Sequence, residues 1–181
     1  MKHLDRSQLL AVLGEAKKDS SRNWLMLALT YNHGLRVSEV LALTPAHIKD
    51  GFLSVRRLKG SLHTTQPLIG SAEPLLDERT VIIKMEVSGL QNVRLFPVTR
   101  QAVHKIFRKY CLRAGVPEHL AHVHSLKHSC VTHALKAVEA NGNAGIHFVK
   151  QWAGHKSLAS TGAYLEVTDQ QAYTAIFGGT Q

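Results

Sequence analysis

The sequence predicts a mainly helical α+β domain with one small antiparallel β-hairpin. Three observations carry that prediction. Apolar residues recur at helical spacing over most of the chain. Phe52 to Ile69 instead alternates by twos and turns at Lys59-Gly60-Ser61. With 181 residues, 44% of them hydrophobic, the chain can bury the core of a single domain.

Asp5-Arg6-Ser7-Gln8 opens a short first helix, with Leu9, Leu10, Val12 and Leu13 on its apolar side. Lys17 to Arg22 reads as a polar connection. Trp24 to Tyr31 is apolar almost all round, as a central buried helix is, and Gly34 stops it. Val37 to Leu43 is the next helix, ended by Thr44-Pro45. Arg36 stands at its N-terminus, and Glu39 one turn later can hold the guanidinium. In the hairpin, Phe52, Ser54 and Arg56 alternate with Leu53, Val55 and Arg57, and Lys59 sits at the tip.

Pro74 to Met85 predicts a helix through Leu75, Leu76, Ile82 and Ile83, and Val93 to Pro97 a short extended piece. Thr99 caps a helix with Val103, Ile106, Phe107, Tyr110 and Ala114 on one side. Its other side shows Arg100, His104, Lys105, Arg108 and Lys109, and Gly115 ends it. His124 begins a helix with Leu126, Cys130, Ala134 and Val138 on its buried face, broken at Asn141-Gly142-Asn143. Ile146, Val149 and Trp152 mark another, ended by Gly154. Tyr164 lies on or beside a short helix that Ser157 caps. In the remainder, Ala172, Tyr173, Ile176 and Phe177 form an apolar face too small to fold alone, so it must dock on its own domain or on a neighbour.

Lys and Arg outnumber Asp and Glu 22 to 13, a formal +9, which points to a polyanionic partner, nucleic acid above all. The first residues lack a secretory apolar core, and no apolar run approaches the ~20 residues of a membrane span. Cys111 and Cys130 lack CxxC spacing and read as buried thiols, fitting a reducing cytoplasm.

The chemistry gathers around Tyr164. A phenol accompanied by Arg36, Lys59 and Lys127 and by His124 and His155 suits a phosphate diester. The cations hold the anionic group, the imidazoles handle protons, and the phenol is the nucleophile. Arg100, Gln101 and His104, with Lys105 beside them, are types that read base edges or phosphates in a major groove. Arg56 or Arg57 could serve a ligand as Lys59 does. A zinc site on His119, His122, His124, His128 and His133 is the competing reading. HExxH is absent and Glu118 is the only acid near, so no metal is expected.

HGLRVSEVLAL, RRLKGSLHTTQPL, HSLKHSCVTHAL and WAGHKSLASTGAYL, in this order, resemble the catalytic domain of tyrosine recombinases, the phage-type integrases. The resemblance runs from about Leu4 to Leu165 and is closest in look to the short recombinases that invert fimbrial promoter switches. It implies that fold, and one catalytic domain over residues 1–181 without a separate N-terminal DNA clamp. Residues 166–181 would be a docking segment that joins subunits of a tetramer on synapsed DNA, with an accessory DNA-bending protein as a further partner.

The resemblance also implies roles. Tyr164 attacks the scissile phosphate and forms a 3′-phosphotyrosine link that conserves the bond energy, so neither ATP nor metal is needed. Arg36 binds the non-bridging oxygens, and Lys59 protonates the leaving 5′-oxygen. His124 acts in proton transfer, His155 hydrogen-bonds the phosphate, and Glu39 supports the site. The family motif is HxxR, and here Lys127 stands at the second arginine. Lysine keeps the charge but loses the planar two-pronged donor. The alternative is therefore a non-cleaving DNA-binding regulator or accessory protein on the same fold.

Overall fold

The computed structural model describes residues 3–58, 62–85, 93–140 and 145–164. Asp5 caps α1 (Arg6–Asp19) in a capping box with Gln8, and the helix buries Leu9, Val12, Leu13 and Ala16. The expected Lys17–Arg22 connection is a single residue, Ser20. Its N–H closes α1 on the Ala16 carbonyl at 2.8 Å, and its hydroxyl accepts from the Asn23 N–H to start α2 (Ser21–Asn32). Both helix ends are thus satisfied by one side chain and one amide.

α2 is the centre of the domain. Every residue from Asn23 to Asn32 is buried, and α1 and α6 pack on it. Its polar groups are all answered. Asn23 Nδ2 donates to Tyr110 Oη at 2.9 Å, and Trp24 Nε1 to the Leu75 carbonyl at 2.9 Å. Asn32 Nδ2 donates to the Leu76 carbonyl and to Glu78. Those long-range bonds explain why α4 (Arg79–Met85) starts later than the expected Pro74: Leu75 and Leu76 are held in a turn that meets α2. Asp77 then accepts from the Thr80 N–H at the new helix start.

α3 (Val37–Leu41) ends two residues before the expected Leu43. The sheet has three antiparallel strands in sequence order, β1 (Ile48–Lys49), β2 (Phe52–Val55) and β3 (Thr64–Pro67), so a two-residue strand joins the expected hairpin. Leu53 lies opposite Gln66 and Val55 opposite Thr64, and this face is buried. Val93–Pro97 is not a strand, although Leu95 donates one backbone bond to the Leu43 carbonyl.

Thr99 caps α5 (Arg100–Arg113) as expected, accepting from the Ala102 N–H at 3.1 Å. Val103, Phe107 and Tyr110 face α1 and α3 and join the main core. α6 (His124–Ala140), α7 (Ile146–Trp152) and α8 (Ala159–Gly162) follow. A second small core of Val131, Leu135, Val149 and Ala153 joins α6 to α7, with Tyr164 packed against it. Lys59, the expected break at Asn141–Asn143 and the docking segment 166–181 lie outside the described residues. Among the described residues no helix is long and apolar enough to cross a membrane.

Candidate active site

Two glycine-closed helix ends create the site. α2 finishes with Gly34 at φ 57 and α7 with Gly154 at φ 65, a conformation that side chains other than glycine seldom adopt. In each, the amide two residues past the cap residue reaches back: Leu35 N–H to the Thr30 carbonyl and His155 N–H to the Lys150 carbonyl, both at 2.9 Å. This Schellman geometry leaves the carbonyls of His33, Gly34, Trp152 and Ala153 needing donors. Two buried cations meet them where the helix dipoles are negative. Arg57 takes His33, Gly34 and Trp152. Lys127 Nζ donates to Gly34 at 2.6 Å and Ala153 at 3.1 Å.

Arg57 therefore departs from the expected DNA-contacting role. Its side chain is 0% exposed, on the same inward face as Leu53 and Val55, whereas Arg56 is exposed.

Glu39 organises the cationic side. It accepts from the Arg36 amide at 2.8 Å, from Arg36 Nη1 at 2.9 Å, from Arg57 Nη1 at 3.3 Å and from the Leu58 amide at 3.1 Å. Burial pushes its carboxyl up, but those N–H donors and the Arg57 charge outweigh it and hold it below the usual range. Arg36, with 29% of its side chain exposed, is the outward member of this group.

The aromatic side is a run of rings. His124 stands edge-on to His128 with centroids 4.5 Å apart, and His128 lies 5.1 Å from Tyr164. His155 is stacked at 6.3 Å on Tyr164, and its Nδ1 is 3.0 Å from Thr161 Oγ1. Burial, then the charges of Lys127, Arg36 and Arg57, push the His155 imidazole down to about 4, so it is neutral at physiological pH. Partial desolvation and the charges of Lys127, His122 and Arg36 lower His124 as well. Burial raises the Tyr164 phenol while Arg36 opposes that rise. Burial, then Arg57 and Arg36, bring the Lys127 ammonium down to about 8. The Arg36 charge thus reaches His124, Lys127, His155 and Tyr164 together.

Of the expected site residues, the structure brings together Arg36, Glu39, His124, Lys127, His155 and Tyr164. Arg100, Gln101, His104 and Lys105 are exposed over the first turns of α5. Farther along that face, Lys109 pairs with Asp19 at 3.0 Å, and Arg108 with Glu118. Sequence reasoning missed His128 as a neighbour of Tyr164; its position one turn after His124 was the available signal. Among the described residues no group of three His, Cys, Asp or Glu is placed to hold a metal ion.

A phenol flanked by His128 and the neutral His155, beside cations buried at two helix ends, thus sits on a helical domain with a small sheet. The chain belongs to the phage integrase family, whose model matches residues 2–171. It is 32% identical over 167 residues to a tyrosine recombinase of Pseudothermotoga lettingae, covering 90% of this chain and 55% of that one. It spans between 50% and 60% of the length of such curated relatives. The fold matches XerH site-specific recombinase bound to difH substrate in a pre-cleavage complex, with a TM-score of 0.73. Sequence identity there is 18%, over 98% of this chain and 54% of that one. It also matches a lambda integrase tetramer bound to a Holliday junction at TM-score 0.70 and 18% identity, over 91% and 48% of the two chains.

Proposed function

We propose that this chain cleaves and rejoins double-stranded DNA at specific sites, as a tyrosine recombinase. Tyr164 Oη attacks a phosphorus atom, a phosphotyrosine bond forms at the 3′ end, and the 5′-oxygen leaves. Attack by a 5′-hydroxyl reverses the step, so the bond energy is conserved and no cofactor enters. His124 takes up the phenol proton. Arg36 neutralises the non-bridging oxygens, Lys127 adds charge, and neutral His155 donates a hydrogen bond to the phosphate. Lys59 supplies the proton to the leaving oxygen. Arg56, with Arg100, Gln101, His104 and Lys105 on α5, meets the duplex, the first turns of α5 entering the major groove.

The observation that carries this reading is the placing of Tyr164 beside His128 and His155 within reach of the Arg36 charge. Family membership and the tyrosine-recombinase relatives support it. The likeness to a tetramer on a Holliday junction supports four copies on two synapsed duplexes. In that assembly the segment 166–181 links subunits, and an accessory protein bends the DNA. Incubation with duplexes bearing a 5′-phosphorothiolate tests the chemistry, because the sulfur leaving group cannot rejoin and the adduct accumulates. A second reading is favoured by Lys127, two of whose donors serve backbone carbonyls. In it the protein binds DNA without cleaving, and the same experiment then gives bound duplex and no adduct.

A further inference from the structure

Arg57 has a larger part than its burial suggests. Its five N–H groups meet six acceptors, in the planar pattern that only a guanidinium provides. Nε donates to Thr64 Oγ1 at 2.9 Å. Nη1 reaches the Gly34 carbonyl at 3.2 Å and Glu39 Oε2 at 3.3 Å. Nη2 reaches the His33 carbonyl at 2.8 Å, the Trp152 carbonyl at 3.2 Å and Gln66 Oε1 at 3.3 Å. One side chain thereby joins the end of α2, the start of α3, strand β3 and the end of α7.

The three helix ends among them border residues of the proposed chemistry. Glu39, held by Arg57, grips Arg36 by its amide and its guanidinium. The same carboxylate accepts from the amide of Leu58, the residue before Lys59. Trp152 and Gly154 lead into His155, and a Cβ on Gly154 would stand 2.9 Å from Arg57 Cγ. The backbone before His155 therefore runs directly over the Arg57 stem. Gly34, which Arg57 shares with Lys127, completes the set.

We propose that Arg57 is a positioning residue: through Glu39 it fixes Arg36, and through the helix ends it sets the frame around Lys127 and His155. This rests on the recombinase reading above. Arg57 does not touch DNA, so its loss acts on the rate of attack and not on duplex binding. The defect is tied to charge. A substrate whose scissile phosphate is replaced by a neutral methylphosphonate no longer needs the cation that Arg57 holds in place.

The test uses the full chain and a duplex selected on it from a random-sequence pool, with the cleavage position mapped first. Single-turnover covalent attachment is measured on the phosphodiester and on the methylphosphonate for the unaltered chain, Arg57→Lys and Thr64→Val. Arg57→Lys should slow the phosphodiester by roughly 10²-fold, as misplacement by about 1 Å can. Thr64→Val removes the one hydroxyl that accepts from Nε of the charged guanidinium while keeping shape and the other five acceptors, and should slow it roughly threefold. Both defects should shrink on the methylphosphonate, with duplex affinity unchanged. If Arg57→Lys fails to fold, Thr64→Val decides. Equal slowing on both substrates, or none, overturns the inference while leaving the recombinase reading intact. No adduct from the unaltered chain overturns that reading and this inference with it.

Discussion

Replacing Lys127 by arginine puts a planar guanidinium where an ammonium now lies 2.6 Å from the Gly34 carbonyl and 3.1 Å from that of Ala153. The lysine is 3% exposed, and burial, then Arg57 and Arg36, lower it from 10.5 to about 8. Between those values the unfolded chain holds the proton and the folded chain does not, so stability rises as pH increases from about 8 to 10.5. At 1.36 kcal/mol per pH unit the gain is about 3 kcal/mol, and Lys127→Met removes it. For the reaction the sign is opposite. The ammonium is charged below about 8, and the attachment rate should fall as pH rises through that value. Arginine stays charged, so Lys127→Arg should abolish this alkaline fall. At neutral pH the second prong should add roughly tenfold, or about 1.4 kcal/mol, less than the ~10²–10³ of a complete donor because lysine already supplies charge. Lys127→Ala should cost more than that. The assay is single-turnover attachment at subsaturating duplex, from about pH 6 to about pH 10. A slower arginine variant with the same alkaline fall, beside an alanine variant of unchanged rate, would place Lys127 outside the chemistry as a tie between helix ends.

Glu39→Gln leaves two arginines facing an amide and should cost about 3–5 kcal/mol of stability at neutral pH. Because the carboxyl is held below its ordinary value, its contribution is present above about pH 4.5 and is lost as pH falls through the lowered folded value. Urea denaturation across pH checks this, and a loss that persists unchanged at low pH contradicts it. The His155 ring should titrate near 4 when followed by NMR, well below the ordinary 6.5; an unlowered midpoint would contradict its burial beside the three cations, and one above physiological pH would remove the neutral donor from the scheme. Duplex binding should fall with salt at about −0.9 in log–log slope per contacted phosphate. Arg100→Ala should flatten sequence preference more than that slope. Uniform weakening on all sequences would mean that the start of α5 does not read bases.

Much of this was written in local pattern. Asp5, Thr99, Gly34, Gly115 and Gly154 announce helix ends because caps act within a turn of themselves, and the structure has each where expected. Arg57 is also legible: it continues the inward alternation of Leu53 and Val55, against the general tendency of arginine to stay exposed. Ser20 was hidden because Lys17 to Arg22 is polar throughout and carries no period. The turn at Leu75 and Leu76 was hidden for another reason: the donors that hold it, on Trp24 and Asn32, lie more than forty residues away in sequence. Site residues were readable as motifs, His124 with Lys127 and His155 with Tyr164. The contact of His128 with Tyr164 was not, since it forms only when the chain after α7 folds back on α6.

Tyr164 is best tested by locating the covalent bond. The unaltered chain is incubated with a phosphorothiolate duplex of its selected sequence, digested, and the nucleotide-bearing peptide identified by mass spectrometry. The adduct should map to Tyr164, and Tyr164→Phe, which removes a single oxygen, should bind the duplex equally well and form none. An adduct on another residue, Tyr173 for example, or one that persists in the phenylalanine variant, would contradict the assignment of Tyr164 as the nucleophile.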